Sequence, residues 1–506
     1  MASVELIFPH SGMKFQMPND DLRTRLAELD KAIAKEEARL KKLKNDKFLV
    51  QQQLDSIVYP VLTLPLDVTL EILARCSSPP PHQSYGPHWC PTVLLQICRA
   101  WREIGLATPT VWTTINLDFT TRPGKHGGRW YNRNVERYLA YRVSLARDRP
   151  LFVSLGGGPR WAECLRGDTF SALLHRLAPR LQSLELSVDP NGLAKLDNNP
   201  PSFPLLQTLA INVDHGYHKP IKKLFRDAPR LQDVWTRSWG LIDFPWKQLT
   251  KFHGDRVSTE DAWYILQSGE NLVECALTLV EDETQSSLHS DPCSHPHLQS
   301  LTLRRDFNSY SKEYLPFIEF LALPAMRSLH LCMMEKYDLE QISTFLSRHS
   351  SQLHTLSSFC GTTSIESLRG MAHLTNLEFW DGKISYIHEF FRELEDLKQR
   401  FLPQIQHISF KSCQFILDSA DVEMFARGLT SRWDPCANMV AQIRAFHVDL
   451  RRTDEMTEYD MAEEFHKIRP SLAGLAALAK RGMHIYVGTR SANYVQGVKK
   501  GEWFIR

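Results

Sequence analysis

The chain has 506 residues, a formal net charge of +2 and 43% apolar residues. That length exceeds one compact core, so two or more units or a repeat array are expected. The near balance of 60 basic against 58 acidic side chains argues against a dedicated nucleic-acid surface, and no run of 18 apolar residues offers a membrane span. Ten cysteines occur without a C-x-x-C pair, and Cys98, Cys275 and Cys332 sit inside apolar patterns. This favours reduced, buried thiols of the cytosol or nucleus over a disulfide framework. The opening MASVELIFPHSGMKF has no basic region followed by an apolar one, so no secretory signal is expected.

Residues 1–19 carry no periodicity and read as a flexible arm. Across 20–59 the chain turns helical. Leu22, Leu26, Leu29, Ile33, Glu36, Leu40, Leu43, Lys47, Val50, Leu54 and Ile57 alternate four and three apart, and nine of these eleven are apolar. Nine Lys/Arg and eight Asp/Glu between Asp20 and Ile57 give the balanced charge of a solvated flank. Two readings stand: self-association through residues 20–57 as a coiled coil, or one amphipathic helix packed in cis on the next segment. Glu36 and Lys47, both on the seam, count against the dimer.

Residues 60–119 form the next unit. It opens LTLPLDVTLEILARC, breaks at a Pro-rich loop over 77–91, and resumes PTVLLQICRAWREIGLATPTVWTTINL. Pro65 suits a helix start, where its missing N–H costs nothing, and Leu66, Val68, Leu70, Ile72 and Leu73 follow. Val93, Leu94, Ile97, Cys98 and Trp101 give a second helix with one apolar side. Pro109 stops the run, Val111 and Trp112 add an apolar plug, and TTINLDF reads as extended. So many apolar residues in three short helices make a poor stand-alone core and a good half of an interface. The Leu64-Pro65 start, the Cys98-x-x-Trp101-Arg102 segment and the later Pro and Trp resemble an F-box, although the inserted loop departs from the compact pattern.

Residues 120–150 read as a flexible joint (TTRPGKHGGRWYNRN) followed by a helix, VERYLAYRVSLARD. PLFVSLGGG then reads as a strand running into a Gly turn. No Lys-Ser/Thr follows the glycines, so a phosphate loop is not favoured.

From Leu181 one phrase returns, Leu-x-x-Leu-x-Leu after a helix-like stretch. Its first anchors fall at 181, 206, 231, 249, 272, 298, 326, 353, 374 and 405, a mean spacing of about 25 residues that suits leucine-rich repeats. Weaker copies are QIRAFHVDLRR and GMHIYVGTR. Anchors one, four and six point inward, because strand side chains alternate and a bend absorbs the first, odd step. Each strand alone buries little, so neighbours stack in parallel and share a core. The intervening helices are expected in TFSALLHRLAPR, KPIKKLFRDAPR, TEDAWYILQSGE, DLEQISTFLSRHS and ISYIHEFFRELEDLKQRF, giving a curved array. The usual Asn ladder is nearly absent, its places being held by Asp189, Asp214, Asp306 and Cys413, and elsewhere by Trp239, Val257 or Gly361. The array over 151–506 is therefore expected to be irregular.

Little points to catalysis. HSDPCSHPHL brings His289, Cys293, His295 and His297 close together, but the spacing is too tight for one zinc ion, and Pro292 and Pro296 favour an exposed loop. No G-x-S-x-G, H-E-x-x-H or Walker pattern occurs. Between the inward anchors, Trp235, Arg237, Lys251, His253, Arg304, His330, Phe359, Glu378, Trp380 and Lys411 point the other way. Trp and Arg at such positions are typical interface anchors.

The order of heptad helix, F-box, joint and Leu-rich repeats resembles the F-box proteins abundant in mushroom-forming fungi. The resemblance implies an α/β fold: an irregular leucine-rich-repeat solenoid with parallel inner strands and outer helices, preceded by a three-helix F-box and a long N-terminal helix. It implies a non-catalytic, cofactor-free substrate receptor of a Skp–cullin–F-box ubiquitin ligase. Leu64, Pro65, Leu66, Val68, Ile72, Leu73, Val93, Cys98, Trp101 and Trp112 would then divide between the F-box core and the groove of the Skp adaptor, through which a cullin is reached. The substrate candidates are Trp235, Arg237, Lys251, Arg304, His330, Phe359, Trp380 and Lys411, facing an unknown protein. A repeat scaffold with no ligase role is the alternative.

Overall fold

A computed structural model describes residues 19–56, 64–77, 91–118, 128–156, 167–188, 193, 196–213, 221–237, 242–280, 293–305, 316–332, 339–360, 363–396, 400–413, 416–433, 440–451, 465–489 and 492–495. The N-terminal arm, most of the Pro-rich loop, the Gly turn after Gly156 and His289 lie outside them. So do Asp189, Asp214, Trp239, Asp306 and Gly361 of the expected ladder.

Asn19–Asp55 is one uninterrupted helix, α1, about 55 Å long at 1.5 Å per residue. It holds neither Gly nor Pro, and Asp20 and Asp21 in its first turn complement the helix dipole. None of its residues is buried. The cis-packed alternative therefore finds no buried residue on this helix.

Three short helices follow: α2, Leu66–Ser77; α3, Pro91–Leu94; and α4, Arg99–Ala107. A 3-10 turn, Pro109–Trp112, closes the unit. All three helices touch one another, and α2 and α4 also meet the closing turn.

Fifteen strands then form a single sheet and lie side by side in chain order, from Thr114–Asp118 to Ala492–Asn493. Every junction is parallel except the last, where His484–Thr489 meets Ala492–Asn493. Parallel neighbours require a crossover for each strand. Among the described residues, helices supply part of these crossovers, at Gly128–Leu145, Gly167–Leu177, Thr259–Ser268, Leu339–His349, Ile365–Arg369, Ile384–Glu395, Ser419–Ser431 and Ala473–Lys480. The first strand belongs by sequence to the three-helix unit, yet Ile115 pairs with Val153 in the sheet. The unit is thus joined to the array by a shared ladder.

The ten phrases obey one burial rule. Anchors one, four and six are buried in every copy, among them Leu181, Leu184 and Leu186, Leu298, Leu301 and Leu303, and Ile405, Ile408 and Phe410. Except for Leu181, which opens its strand, the first anchor sits two residues before its strand, so its odd spacing still lets it turn inward. Even Thr236 and Ser358, polar occupants of the sixth place, are fully buried. Phe379, Phe390, Phe391, Phe401, Phe410, Phe425 and Phe446 fill the later part of this core with edge-on and stacked rings.

Two local expectations differ from the structure. KPIKKLFRDAPR forms turns in its described part, 221–230. The Asp197 carboxylate of the preceding unit accepts hydrogen bonds from the backbone N–H groups of Lys222, Lys223 and Leu224, at 3.3, 2.6 and 2.9 Å. The segment's amides are thus tied to a carboxylate about 25 residues upstream. The supposed joint at 120–134 is shorter than expected, because a helix, Gly128–Leu145, already begins inside it.

Candidate protein-interaction surfaces

The three-helix knob is held together by Cys98, Trp101, Arg102 and Trp112. Cys98 is the N-cap of α4, its sulfur accepting from the Trp101 N–H at 3.4 Å. Trp101 is buried, and the Arg102 Nε–H donates to the Leu95 carbonyl at 3.1 Å. A Cβ on Gly105 would run into Leu95, so α4 packs against that residue without a spacer. The Trp112 Nε1–H donates at 2.7 Å to the Gly105 carbonyl, which also accepts from the Thr108 N–H that caps α4, at 3.3 Å.

Arg142 secures the join to the sheet. Its guanidinium lies 4.8 Å from the Trp112 ring centre and donates through Nη2 to the Thr114 carbonyl at 2.6 Å. The cation is almost wholly buried, and burial makes such contacts costly to break.

The ten residues assigned to this unit therefore divide. Leu73, Trp101 and Trp112 are buried, and Ile72 and Cys98 are half-buried against the core. Leu64, Pro65, Leu66, Val68 and Val93 are exposed. Ile97 and Leu106, outside the expected set, join them, so that six large apolar side chains between residues 64 and 106 face outward: Leu64 (37%), Leu66 (59%), Val68 (40%), Val93 (54%), Ile97 (52%) and Leu106 (38%).

The second surface is the sheet face opposite the buried anchors. Trp235, His253, Ala276, Thr302, His330, Ser357 and Glu378 lie in one register row across seven strands. Phe359, Trp380 and Lys411 make a neighbouring row. Arg237 and Arg304 fall on the same face, and both are exposed.

Charges on this face are matched across strands. Lys251 Nζ lies 2.9 Å from Glu274, whose other oxygen is 3.7 Å from His253 Nε2. The hydrogen bond and charge of Glu274 raise the Lys251 pKa above its usual value. The Arg237 Nε–H donates to Asp255 at 2.9 Å. Glu378 gathers three partners. Lys411 Nζ lies 2.5 Å away, the Trp380 Nε1–H donates at 2.8 Å and the Ser357 hydroxyl at 3.1 Å. Lys411 also lies 5.1 Å from the Trp380 ring centre. Further along, the His447 and Tyr486 rings stack at 4.5 Å.

Burial lowers the His330 pKa, with Glu378 acting against and Arg304 with that effect. Burial also raises the Cys332 thiol, so it stays protonated near neutrality. Such a face can exchange its ion pairs for those of an incoming polar surface and offer ring faces beside them.

Selecting by size found the bulky residues and missed Glu274, Asp255, Ser357, His447 and Tyr486. Reading every third, fifth and seventh place of the phrase would have found the first three. The His/Cys segment behaves differently from the expected exposed loop. Cys293–Ser294 pairs in parallel with Leu321–Ala322, and His295 is buried, its Nε2–H donating to the Gly269 carbonyl at 2.7 Å. Among the described residues no group of three or more His, Cys, Asp or Glu side chains is placed to hold a metal ion, and no helix is long and apolar enough to cross a membrane.

No protein-family model matches this chain, and no curated protein matches it.

Proposed function

We propose that the chain is the substrate-recognition subunit of a Skp–cullin–F-box ubiquitin ligase. The knob binds the Skp adaptor, and the open sheet face binds the protein to be modified. One observation carries this reading. The knob anchors itself through Leu73, Trp101, Val111 and Trp112, yet leaves Leu64, Leu66, Val68, Val93, Ile97 and Leu106 outside. Fully burying an aliphatic side chain of this size contributes about 1.5–3 kcal/mol. Six withheld from one short unit fit a groove supplied by another protein. Leu64 and Pro65, Cys98, Trp101 and Arg102, and the later Pro109 and Trp112 are the residues that resemble an F-box.

On this reading the chain catalyses nothing and needs no cofactor. Its contribution is geometric, holding a captured protein near a charged ubiquitin-conjugating enzyme and raising the effective concentration of the target lysine. The ladder between Thr114–Asp118 and Leu151–Gly156, with Arg142 across the junction, supports that role by joining the two binding surfaces without a free linker.

The test is co-purification of the full chain with a Skp adaptor and cullin, beside the Leu64→Ala/Pro65→Ala/Leu66→Ala variant. All three side chains are exposed, so the variant keeps its fold. Adaptor retained by the wild type and lost by the variant supports the ligase role. Equal recovery with both, or no recovery with either, leaves a protein-binding repeat scaffold.

A further inference from the structure

The long helix α1 stands apart from everything described so far. Leu22, Leu26, Leu29, Ile33, Leu40, Leu43, Val50 and Leu54 are each at least half exposed, and they fall on one heptad seam. An isolated helix in water draws little stability from its backbone alone, and a leucine seam along a solvated helix is the pattern of a coiled coil. In heptad positions, Leu26, Ile33, Leu40, Lys47 and Leu54 are a, and Leu22, Leu29, Glu36, Leu43 and Val50 are d. The two charged seam residues choose the partner and its direction.

A parallel pairing of two copies in register sets Glu36 against Glu36 and Lys47 against Lys47 inside the seam, and Arg39 against Lys44 on its flank. Like charges meet at all three places. An antiparallel pairing sets each a residue opposite a d residue. Only one register then brings the seam charges together, the one centred between Lys41 and Lys42. There Glu36 meets Lys47, Ile33 meets Val50, Leu40 meets Leu43 and Leu29 meets Leu54. Sliding by one heptad either way puts Glu36 against Leu40 or Leu54. The flanks of the centred register also match: Arg39 faces Asp46, and Glu37 faces Lys44. By the twofold symmetry each pairing occurs twice.

We propose that α1 pairs with α1 of a second copy as an antiparallel two-stranded coiled coil centred between Lys41 and Lys42. The seam charges, which as single residues weaken a dimer, become the device that fixes its direction and register. In one copy alone, Glu36 reaches only an exposed contact with Arg39 at 3.9 Å. The overlap spans residues 28–55, and the two chains leave it from opposite ends about 40 Å apart. The inference does not rest on the ligase reading.

The experiment is sedimentation equilibrium on the full chain, with Glu36→Lys, Lys47→Glu and the double exchange Glu36→Lys/Lys47→Glu. Both positions are exposed, and a thermal melt checks that the sheet is untouched. The wild type is expected to dimerise. Each single exchange should raise the dissociation constant at least about tenfold, because two seam pairs turn repulsive at once, and the double exchange should return it to within about threefold of the wild type. A monomeric wild type overturns the proposal. A dimer indifferent to the single exchanges also overturns it, since a parallel seam merely swaps one like pair for another and a contact elsewhere does not involve these residues. Loss without recovery in the double exchange would refute the register.

Discussion

The knob and the sheet use the same aliphatic residues and treat them in opposite ways. In the sheet, Leu329 and Leu331 are fully buried by their own neighbours, and so are their counterparts in adjoining strands. In the knob, Leu66 and Val93 are more than half exposed although they sit in equally apolar helices. A stacked array completes its core from within, because each new strand covers the last. Three short helices cannot surround one another, and only the sides turned to each other and to the closing turn are covered. Apolar pattern alone therefore does not distinguish a core from an interface; the number of layers available to cover it does.

Substitutions that separate covered from uncovered apolar side chains test this contrast most strongly. Phe390 is fully buried and meets the rings of Phe379, Phe391, Phe401 and Phe410. Phe390→Ala should cost about 3–5 kcal/mol by chemical denaturation. A cost below about 1 kcal/mol would mean that the array is not closely packed there, and the contrast with the knob would fail.

Trp112 stands at the border and should show an intermediate effect. Trp112→Phe keeps most of the buried area but removes the indole N–H from the Gly105 carbonyl, which is left with the Thr108 N–H at 3.3 Å. The expected loss is about 1–2 kcal/mol, accompanied by faster amide hydrogen exchange in α4 and not in the strands beyond Leu151. Uniform acceleration over the whole sheet would show that knob and array unfold as one body.

Acid should weaken the sheet through its buried histidines. His349 Nδ1–H donates to the Phe345 carbonyl at 2.9 Å, while Nε2 accepts from the Leu323 N–H at 3.1 Å. The ring is neutral in this arrangement, and burial lowers its pKa below the usual 6.5. The unfolded chain then binds more protons than the folded one, so stability is fully present above pH 6.5 and falls as the pH drops below it. Thermal melts between pH 7.5 and about 5 should show that decline. His349→Gln should flatten it by at most about 1.4 kcal/mol per pH unit, the weight of one proton. An unchanged slope would move the effect to His295, whose pKa burial also lowers.

Much of the array was legible in the chain itself, since a strand anchor needs only an apolar residue at the right step. From Leu181 to Phe410 every anchor position is buried, and Thr236 and Ser358 are the polar residues among them. What escaped depends on distant partners. Nothing in KPIKKLFRDAPR announces that Asp197 occupies its amides, and His295 looks like a loop residue until the Gly269 carbonyl is brought to it. On the open face, residue type marked Lys251 and Lys411. Only register revealed that Glu274 and Glu378 answer them.

The smallest expected change in stability carries the most weight for the knob. Val93→Ala removes two methyl groups from a side chain that is more than half exposed, so the folded state loses little apolar burial. The expected shift in denaturation midpoint corresponds to no more than about 0.5 kcal/mol. If Val93 lies in an adaptor groove, the same substitution should weaken adaptor capture by about tenfold, because the burial withheld in the free chain is recovered only in the complex. A buried anchor such as Leu73 should behave the other way, with Leu73→Ala costing about 2–5 kcal/mol of stability before any binding is measured. Should Val93→Ala lower stability as much as Leu73→Ala does, the knob would be closed by its own chain, and its outward residues would be core after all.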